Sequence, residues 1–355
     1  MTERVVVGMS GGVDSSLAAL LLQEQGCEVL GVTMKLWPCG VGQGGDPEDA
    51  CCSPTDARAV AVGHGMSHYM VDFEEQFRAG VVTNWVAGYA RGETPNPCIA
   101  CNETIKFGDL WRWAQGVGAS AVGTGHYARI ECLDGRYYPA VPSDGGKDQT
   151  YFLFSLDQAQ LAAARFPLGG MTKDAVRAEA ERRGLPNARR ADSQDLCFVG
   201  EGSVEDFLRT EQPEAFVPGA IMLGDGTVLG EHRGLPAYTV GQRKGLGVAW
   251  TEALYVLELN TERNAVIVGP RDALLVEQAC LRDVRWHAGD VPRDGVSCLV
   301  RNRHRATPVP ALLTPRDDGR VQVQYARAVA RPSPGQACVA YDRDLRLCLG
   351  GGWFC

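Results

Sequence analysis

The chain has 355 residues, 45% hydrophobic and 22% charged, with a formal net charge of −8. This is the composition of a globular protein too long for one hydrophobic core; it excludes disordered and fibrous classes, and its apolar runs are too short to span a membrane. The acidic balance excludes a protein that coats nucleic acid indiscriminately, because counterion release needs many clustered Lys and Arg side chains, but it leaves room for a local basic face. The start, MTERVVVGMS, lacks the charged segment and apolar run of a signal peptide, so a cytoplasmic location without membrane attachment is expected. Thirteen cysteines, an odd number in a chain without secretory features, argue for reduced thiols and against a disulfide framework.

RVVVGM (4–9) is a β-branched run that reads as a strand, followed by a Ser-Gly-Gly turn and an apolar helical pattern over 15–25. The alternation continues: strand 28–34, helix 53–65, strand 68–73, helix 74–92, helix 102–116, strand 119–125. Strands separated by helices predict an α/β fold, an N-terminal doubly wound parallel sheet with ligands at the carboxyl ends of its strands. GVGQGGD (40–46) reads as a mobile loop. Beyond 150 two helical stretches follow, the second with Thr172 as N-cap and Gly184 as its stop. From about Pro218 the chain becomes short β-rich runs broken by Gly, Asp and Asn turns, which predicts small antiparallel barrels. The expected division is a catalytic domain over 1–210 with a helical extension from about 150, a central β-rich domain over 211–272 and a C-terminal β-barrel over 273–355.

The turn after the first strand, GMSGGVDSS from Gly8 to Ser16, has the makings of an anion cradle. Gly11 and Gly12 let backbone N–H groups approach a phosphate, Ser10, Ser15 and Ser16 add hydroxyls, and a helix N-terminus adds partial positive charge. A Walker A loop would carry a lysine for the terminal phosphates, and this loop has none. SGGxDS resembles the pyrophosphate loop of the ATP pyrophosphatases, which cleave ATP between the α and β phosphates and activate an oxygen by adenylation. That resemblance places Asp14 near the Mg²⁺ that accompanies pyrophosphate.

TPNPCIACNETIKFG (94–108) holds Cys98 and Cys101 in a C-x-x-C spacing, open to a zinc half-site, a redox pair or one reactive thiol with a bystander. Cys101 precedes an expected helix, where the dipole favours thiolate. Cys197, in the acidic stretch ADSQDLCFVGEGS, is a second candidate thiol, and the pair would suit sulfur transfer by persulfide and thiol–disulfide exchange. Cys27, Cys132, Cys280, Cys298, Cys338, Cys348 and Cys355 are assigned as small buried hydrophobes. Cys39, Cys51 and Cys52 are less readily assigned; no second close pair supports zinc, while an iron–sulfur cluster is possible but not favoured.

Seven segments, GMSGGVDSS, TPNPCIACNETIKFG, GTGHYAR, KDQTYFL, DSQDLCFVGE, YTVGQRKGLG and CLGGGWF, stand in the order found in the tRNA-specific 2-thiouridylases, and the chain resembles that family from first strand to last residues. The resemblance implies an enzyme that uses ATP and a persulfide sulfur to convert the wobble uridine of tRNA to 2-thiouridine. It implies ATP binding by Gly8, Met9, Ser10, Gly11, Gly12, Val13, Asp14 and Ser15, with Met34 and Gly125 completing the adenine and ribose pocket. Cys101 matches the nucleophile and Cys197 the persulfide carrier, joined in a transient disulfide. Asn96, Pro97 and Cys98 match the segment that contacts the target base, and Cys98 stands where some relatives have an aspartate. Lys147, Asp148, Gln149, Arg303, His304, His126 and Gln336 match tRNA contacts. Implied partners are the tRNA anticodon stem-loop and a persulfide donor such as a cysteine desulfurase or sulfur-relay protein.

Three basic clusters, 181–190, 241–247 and 300–308, are candidates for RNA phosphates, against the plainer reading of a solvated surface. The competing functions are an ATP pyrophosphatase that delivers nitrogen, which would need neither Cys101 nor Cys197, and a metal-containing RNA-binding protein with Cys98 and Cys101 as ligands.

Overall fold

Val5, Val6 and Val7 have no solvent exposure at all, the burial expected of a central strand covered on both faces. They belong to β1 (Arg4–Gly8) in the computed structural model, which describes residues 2–38, 54–190, 196–200 and 202–355. The loop 40–46, Cys39, Cys51 and Cys52 lie outside the described residues. The chain divides into two compact units, residues 1–81, 98–201 and 344–349 in one and 82–97, 202–343 and 350–355 in the other.

In the first unit, β1 leads to α1 (Val13–Glu24), β2 (Glu28–Lys35), α2 (Pro54–Gly63), β3 (Ser67–Asp72) and α3 (Glu74–Phe77). A π-helical turn over Arg78–Val82 then leads into α4 (Thr83–Ala90), which belongs to the second unit. α5 (Pro97–Ala100), a π-helical stretch Cys101–Asp109 and α6 (Leu110–Gly116) run on as one helix, followed by β4 (Ala121–Gly123). The hairpin β5 (Arg129–Leu133) and β6 (Arg136–Ala140), α7 (Gln158–Ala163), β7 (Ala164–Arg165) and α8 (Lys173–Arg182) complete this unit's main elements. The sheet order is β3-β2-β1-β4-β7, all parallel, so the expected doubly wound sheet is present. β7 is two residues long, too short to leave a periodic signal in the sequence.

Helix α1 seats Leu17, Ala18 and Leu22 in the core, and a Cβ on Gly123 of β4 would stand 2.6 Å from Leu22, so glycine permits this close helix–strand approach. Helix α8 starts as expected: Thr172 Oγ1 accepts from Ala175 N at 3.2 Å, and Gly184 turns the chain out with φ +67°.

The second unit holds α9 (Val204–Glu211), capped by a reciprocal Ser203–Asp206 box, and the sheet β10-β11-β8-β9. Its strands are β8 (Gly219–Leu223), β9 (Val228–His232), β10 (Tyr255–Asn260) and β11 (Ala265–Gly269), over a core of Ile221, Val256, Val266 and Val268. The barrel follows as β12 (Leu275–Trp286), β13 (Val296–Arg301), β14 (Val309–Pro315), β15 (Val321–Ala330), β16 (Ala337–Tyr341) and β17 (Cys348–Phe354), closed in the order β12-β15-β14-β13-β16-β17. Along β14 the buried residues are Val309, Ala311 and Leu313, the period of two that a barrel wall imposes.

Candidate active site

The phosphate loop is held open by its neighbours. Met9 is clamped between strands, its N–H donating to Val32 O at 2.8 Å and its carbonyl accepting from Thr33 Oγ1 at 2.8 Å. Gly11 has φ +82°, a left-handed turn that glycine adopts without strain, and Gly12 caps α1 by accepting from Ser16 N at 3.2 Å and Ser15 Oγ at 3.1 Å. Val13, Asp14 and Ser15 then open α1, where backbone N–H groups have no partner a turn earlier. A Cβ on Gly125 would lie 2.7 Å from Ser15 N, and one on Gly8 3.7 Å from Met34 Cε, so Gly125 borders the loop and Met34 lies beside Gly8.

Three residues at this loop escaped the sequence reading. Lys173, the first residue of α8, places Nζ 2.8 Å from both carboxylate oxygens of Asp14, and its side chain is only 8% exposed. Tyr127 donates its hydroxyl to Asp14 Oδ1 at 2.9 Å. Asn187, buried, donates Nδ2 to Gly11 O at 2.7 Å and to Ser16 Oγ at 2.8 Å, while its Oδ1 is buried with no hydrogen-bond partner. The cation that the loop sequence lacks is thus supplied by a helix 159 residues further on. The T-K pair at a helix start was the available signal, and only tertiary structure connects it with the loop.

This arrangement fits a bound polyphosphate with its Mg²⁺. The N–H groups that open α1 and the Lys173 ammonium bring positive charge to the loop, the Asp14 side chain is 30% exposed and so open to a cation, and Asn187 Oδ1 is a buried acceptor with no hydrogen-bond partner. Among the described residues no three His, Cys, Asp or Glu side chains are grouped to hold a metal by themselves.

The loop is wired to the segment expected to contact RNA. Gln149 Oε1 accepts from Tyr127 N at 2.8 Å, Gln149 N donates to Tyr127 O at 3.0 Å, and the same tyrosine reaches Asp14. Asp148 is buried, accepting from Thr150 N at 2.9 Å and Thr150 Oγ1 at 2.7 Å, and Lys147 closes the adjacent turn. His126 is buried against Phe107 and Phe166, with Nδ1 2.7 Å from Thr124 Oγ1, and burial drives its pKa well below the ordinary value.

The helix carrying the thiols starts earlier than expected. Pro97 occupies its first turn, where a missing N–H costs nothing, so the helix begins at Pro97 and not at 102. Cys98 is therefore the residue in the first turn, exposed, and Cys101 sits one turn on, buried, where α-helical pairing gives way to π. π-helical turns concentrate at functional sites. This one is held by Gln160, whose Nε2 donates to Glu103 O at 2.9 Å and Phe107 O at 3.0 Å, and by Asn102 Nδ2, which donates to Phe152 O at 3.0 Å.

Cys197 is exposed in the turn 197–200. The next residue, Phe198, packs edge-on to Phe77 at 5.7 Å, and Phe77 ends α3, which packs on the π-helical stretch opened by Cys101. Both thiol segments thus share α3 as a neighbour, and neither cysteine is in a disulfide here. Of the cysteines assigned to the core, Cys298, Cys338 and Cys348 are buried and Cys27 and Cys280 half-buried; Cys132 and Cys355 are exposed, so that assignment is corrected for these two. Cys132 lies on the exposed hairpin and Cys355 ends the chain, and neither has a layer over it.

In the second unit, Thr94 N donates to Pro334 O at 2.8 Å and a Cβ on Gly335 would meet Glu93 at 2.8 Å, so the segment leading to Asn96 and Pro97 lies beside the turn that bears Gln336. Arg303 is exposed, its guanidinium 3.5 Å from where a Cβ on Gly241 would stand, and His304 is half-buried.

A parallel α/β domain with a phosphate loop and a separate β-barrel define a nucleotide-using enzyme class, and the family models agree: a tRNA methyl transferase HUP domain matches residues 3–201, a tRNA methyl transferase PRC-barrel domain 205–270, and an aminomethyltransferase beta-barrel domain 276–354. The chain is 46% identical to a tRNA-specific 2-thiouridylase MnmA of Chloroflexus aggregans, covering 98% of this chain and 97% of that one. It is 45% identical to the MnmA of Geotalea uraniireducens (99% and 94% covered) and 44% identical to that of Magnetococcus marinus (99% and 98% covered). The chain belongs to the tRNA-specific 2-thiouridylase family.

Proposed function

We propose that this protein is a tRNA-uridine 2-sulfurtransferase that adenylates the C2 oxygen of the wobble uridine and replaces it with sulfur. What carries this reading is a phosphate cradle whose aspartate is held by a buried lysine, in the same compact unit as Cys101 and Cys197, within a chain that matches 2-thiouridylases along 98% of its length. A carbonyl-level oxygen is a poor leaving group in water; joined to the α-phosphorus it departs as AMP. The loop amides of Gly11 to Ser15 and Lys173 hold the polyphosphate of substrate ATP, and Gly125 and Met34 border the nucleoside. Asp14 would be the carboxylate that holds the Mg²⁺ accompanying ATP, which would supply charge neutralisation for pyrophosphate.

In the sulfur step Cys197 carries the persulfide. Its outer sulfur bonds to C2 as the C2–O bond to AMP breaks; the Cys101 thiolate then attacks Cys197 Sγ, the S–S bond to the transferred sulfur breaks, and 2-thiouridine leaves. The sulfane sulfur is reduced, the two thiols are oxidised to a Cys101–Cys197 disulfide, and an external thiol resets them. The uridine is flipped out of its loop to lie against Asn96, Pro97 and Cys98, and Lys147 to Gln149, Arg303, His304, His126 and Gln336 contact the tRNA. His126 is neutral in this role and contributes no charge to an RNA phosphate.

We further place the domain divisions at 1–210, 211–272 and 273–355, the site of action in the cytoplasm, and a persulfide-bearing protein as the donor. No helix among the described residues is long and apolar enough to cross a membrane. A methyl transferase, the wording of the family model, would have no use for a polyphosphate cradle or for two thiols.

The test is to incubate the protein with ATP, Mg²⁺, unmodified tRNA and a sulfur source and to look for 2-thiouridine and AMP together. Thiolation that survives in full in Cys101→Ala or Cys197→Ala would overturn the sulfur route.

A further inference from the structure

The three basic clusters have different fates in the fold. In 181–190 the arginines are neutralised within the protein: Arg182 on Glu179 at 2.6 Å, Arg183 on Glu24 and Glu179, Arg189 on Glu181 at 3.0 Å, Arg190 on Asp56 at 2.9 Å. That cluster is locally balanced in charge, and its Arg183 ties α8 to Glu24 of α1. Arg243, Lys244 and Arg303, by contrast, are exposed and make no ion pair among the described residues. Arg303 leans on Gly241, so two clusters some sixty residues apart in sequence meet in the second unit.

Next to this meeting point, from Arg243 onward, the chain shapes an open cavity. The loop 243–254 is pinned at its base, where Gly241 N donates to Val256 O at 2.8 Å and Val256 N to Gln242 O at 2.9 Å. Leu246 and Leu254 are buried in the core of the β8–β11 sheet. Gly245 and Gly247, with φ +78° and +70°, let the chain between these anchors curl outward around an open cavity of about 470 Å³. Trp250, 45% exposed, lines it together with Arg243 and Glu252. Trp250 keeps nearly half of its surface open on a glycine-shaped loop, and nucleobases stack on such faces in sequence-tolerant fashion.

We propose that this loop is a second RNA-binding site, in which an unpaired nucleobase stacks on Trp250 while Arg243, Lys244 and Arg303 hold its flanking phosphates. Glu252 repels phosphate and accepts from an exocyclic amine, so the base enters on its side and the backbone runs past the cations. The proposal rests on the reading of RNA as substrate and adds a contact remote in sequence from Cys98 and Cys101. Its work is to retain the tRNA, not to react with it.

Trp250→Ala in the full chain is expected to raise KM for tRNA about tenfold, the worth of one stacked base. kcat, KM for ATP and the thermal midpoint should stay unchanged, because Trp250 supports no core. Trp250→Phe should keep most of the affinity. The double variant Arg243→Gln, Lys244→Gln should flatten the log–log salt dependence of tRNA binding by about 1 to 2. Single-stranded oligonucleotides should quench the fluorescence difference between wild type and Trp250→Phe, and duplex RNA of equal length should not. A Trp250→Ala enzyme with wild-type KM for tRNA and wild-type oligonucleotide binding would overturn the site. Should the wild-type protein thiolate no tRNA, the functional reading fails, and the oligonucleotide quench still decides the pocket: present, it stands; absent, it falls.

Discussion

Lys173 is the residue on which the site turns. Its ammonium, on a side chain only 8% exposed, balances the more open Asp14, and an approaching polyphosphate competes for that charge. Lys173→Met should raise KM for ATP by about 10- to 100-fold, the worth of one charge-assisted hydrogen bond, with tRNA affinity unaltered. Steady-state kinetics with each substrate varied in turn, beside direct tRNA binding, checks this. Two buried histidines set an acid limit. Burial lowers the pKa of His287 to about 4 and that of His126 well below the ordinary value. Between the ordinary histidine pKa of about 6.5 and those lowered values, the unfolded chain binds protons that the folded chain refuses. Stability is therefore complete above about pH 6.5 and falls as pH drops towards 4, His287 alone accounting for up to about 3 kcal/mol. Urea midpoints across this range should show the slope, and His287→Asn should remove part of it.

Among the elements, the helix from Pro97 to Gly116 has the most unusual build. A π-helical stretch leaves its carbonyls poorly served, and Gln160 takes up two of them from α7. Gln160→Ala should cost about 1–2 kcal/mol of stability by denaturant melting and slow thiolation through the helix that carries Cys101. The phosphate-loop turn is tighter still. A Cβ at Gly125 would strike the backbone of Asp14 and Ser15, which cannot give way without deforming the loop, so Gly125→Ala should depress kcat/KM for ATP more than tRNA binding. The alternating strands and helices were legible from β-branched runs and turn residues. The π-helical stretch was not, because its hydrogen-bond shift comes from packing and capping that no local pattern encodes.

At the scale of the molecule, a net charge of −8 coexists with RNA binding because the positive charges are sorted. Arg189 and Arg190 already pair with Glu181 and Asp56 of the same chain, so Arg189→Gln with Arg190→Gln should change tRNA affinity less across a salt series than changes at Arg243 and Lys244. The sequence by itself determined the α/β sheet, the barrel, the phosphate loop and the two candidate thiols, because period, β-branching and glycine spacing act over a few residues. It misjudged where the helix of Cys98 and Cys101 begins by reading past the proline that starts it. Lys173 and Asn187 on the loop, the π-helical support beneath Cys101 and the approach of Arg303 to Gly241 were decided only by tertiary structure. Each joins residues tens to more than a hundred positions apart, and distance in the chain carries no information about which charges will share a buried surface.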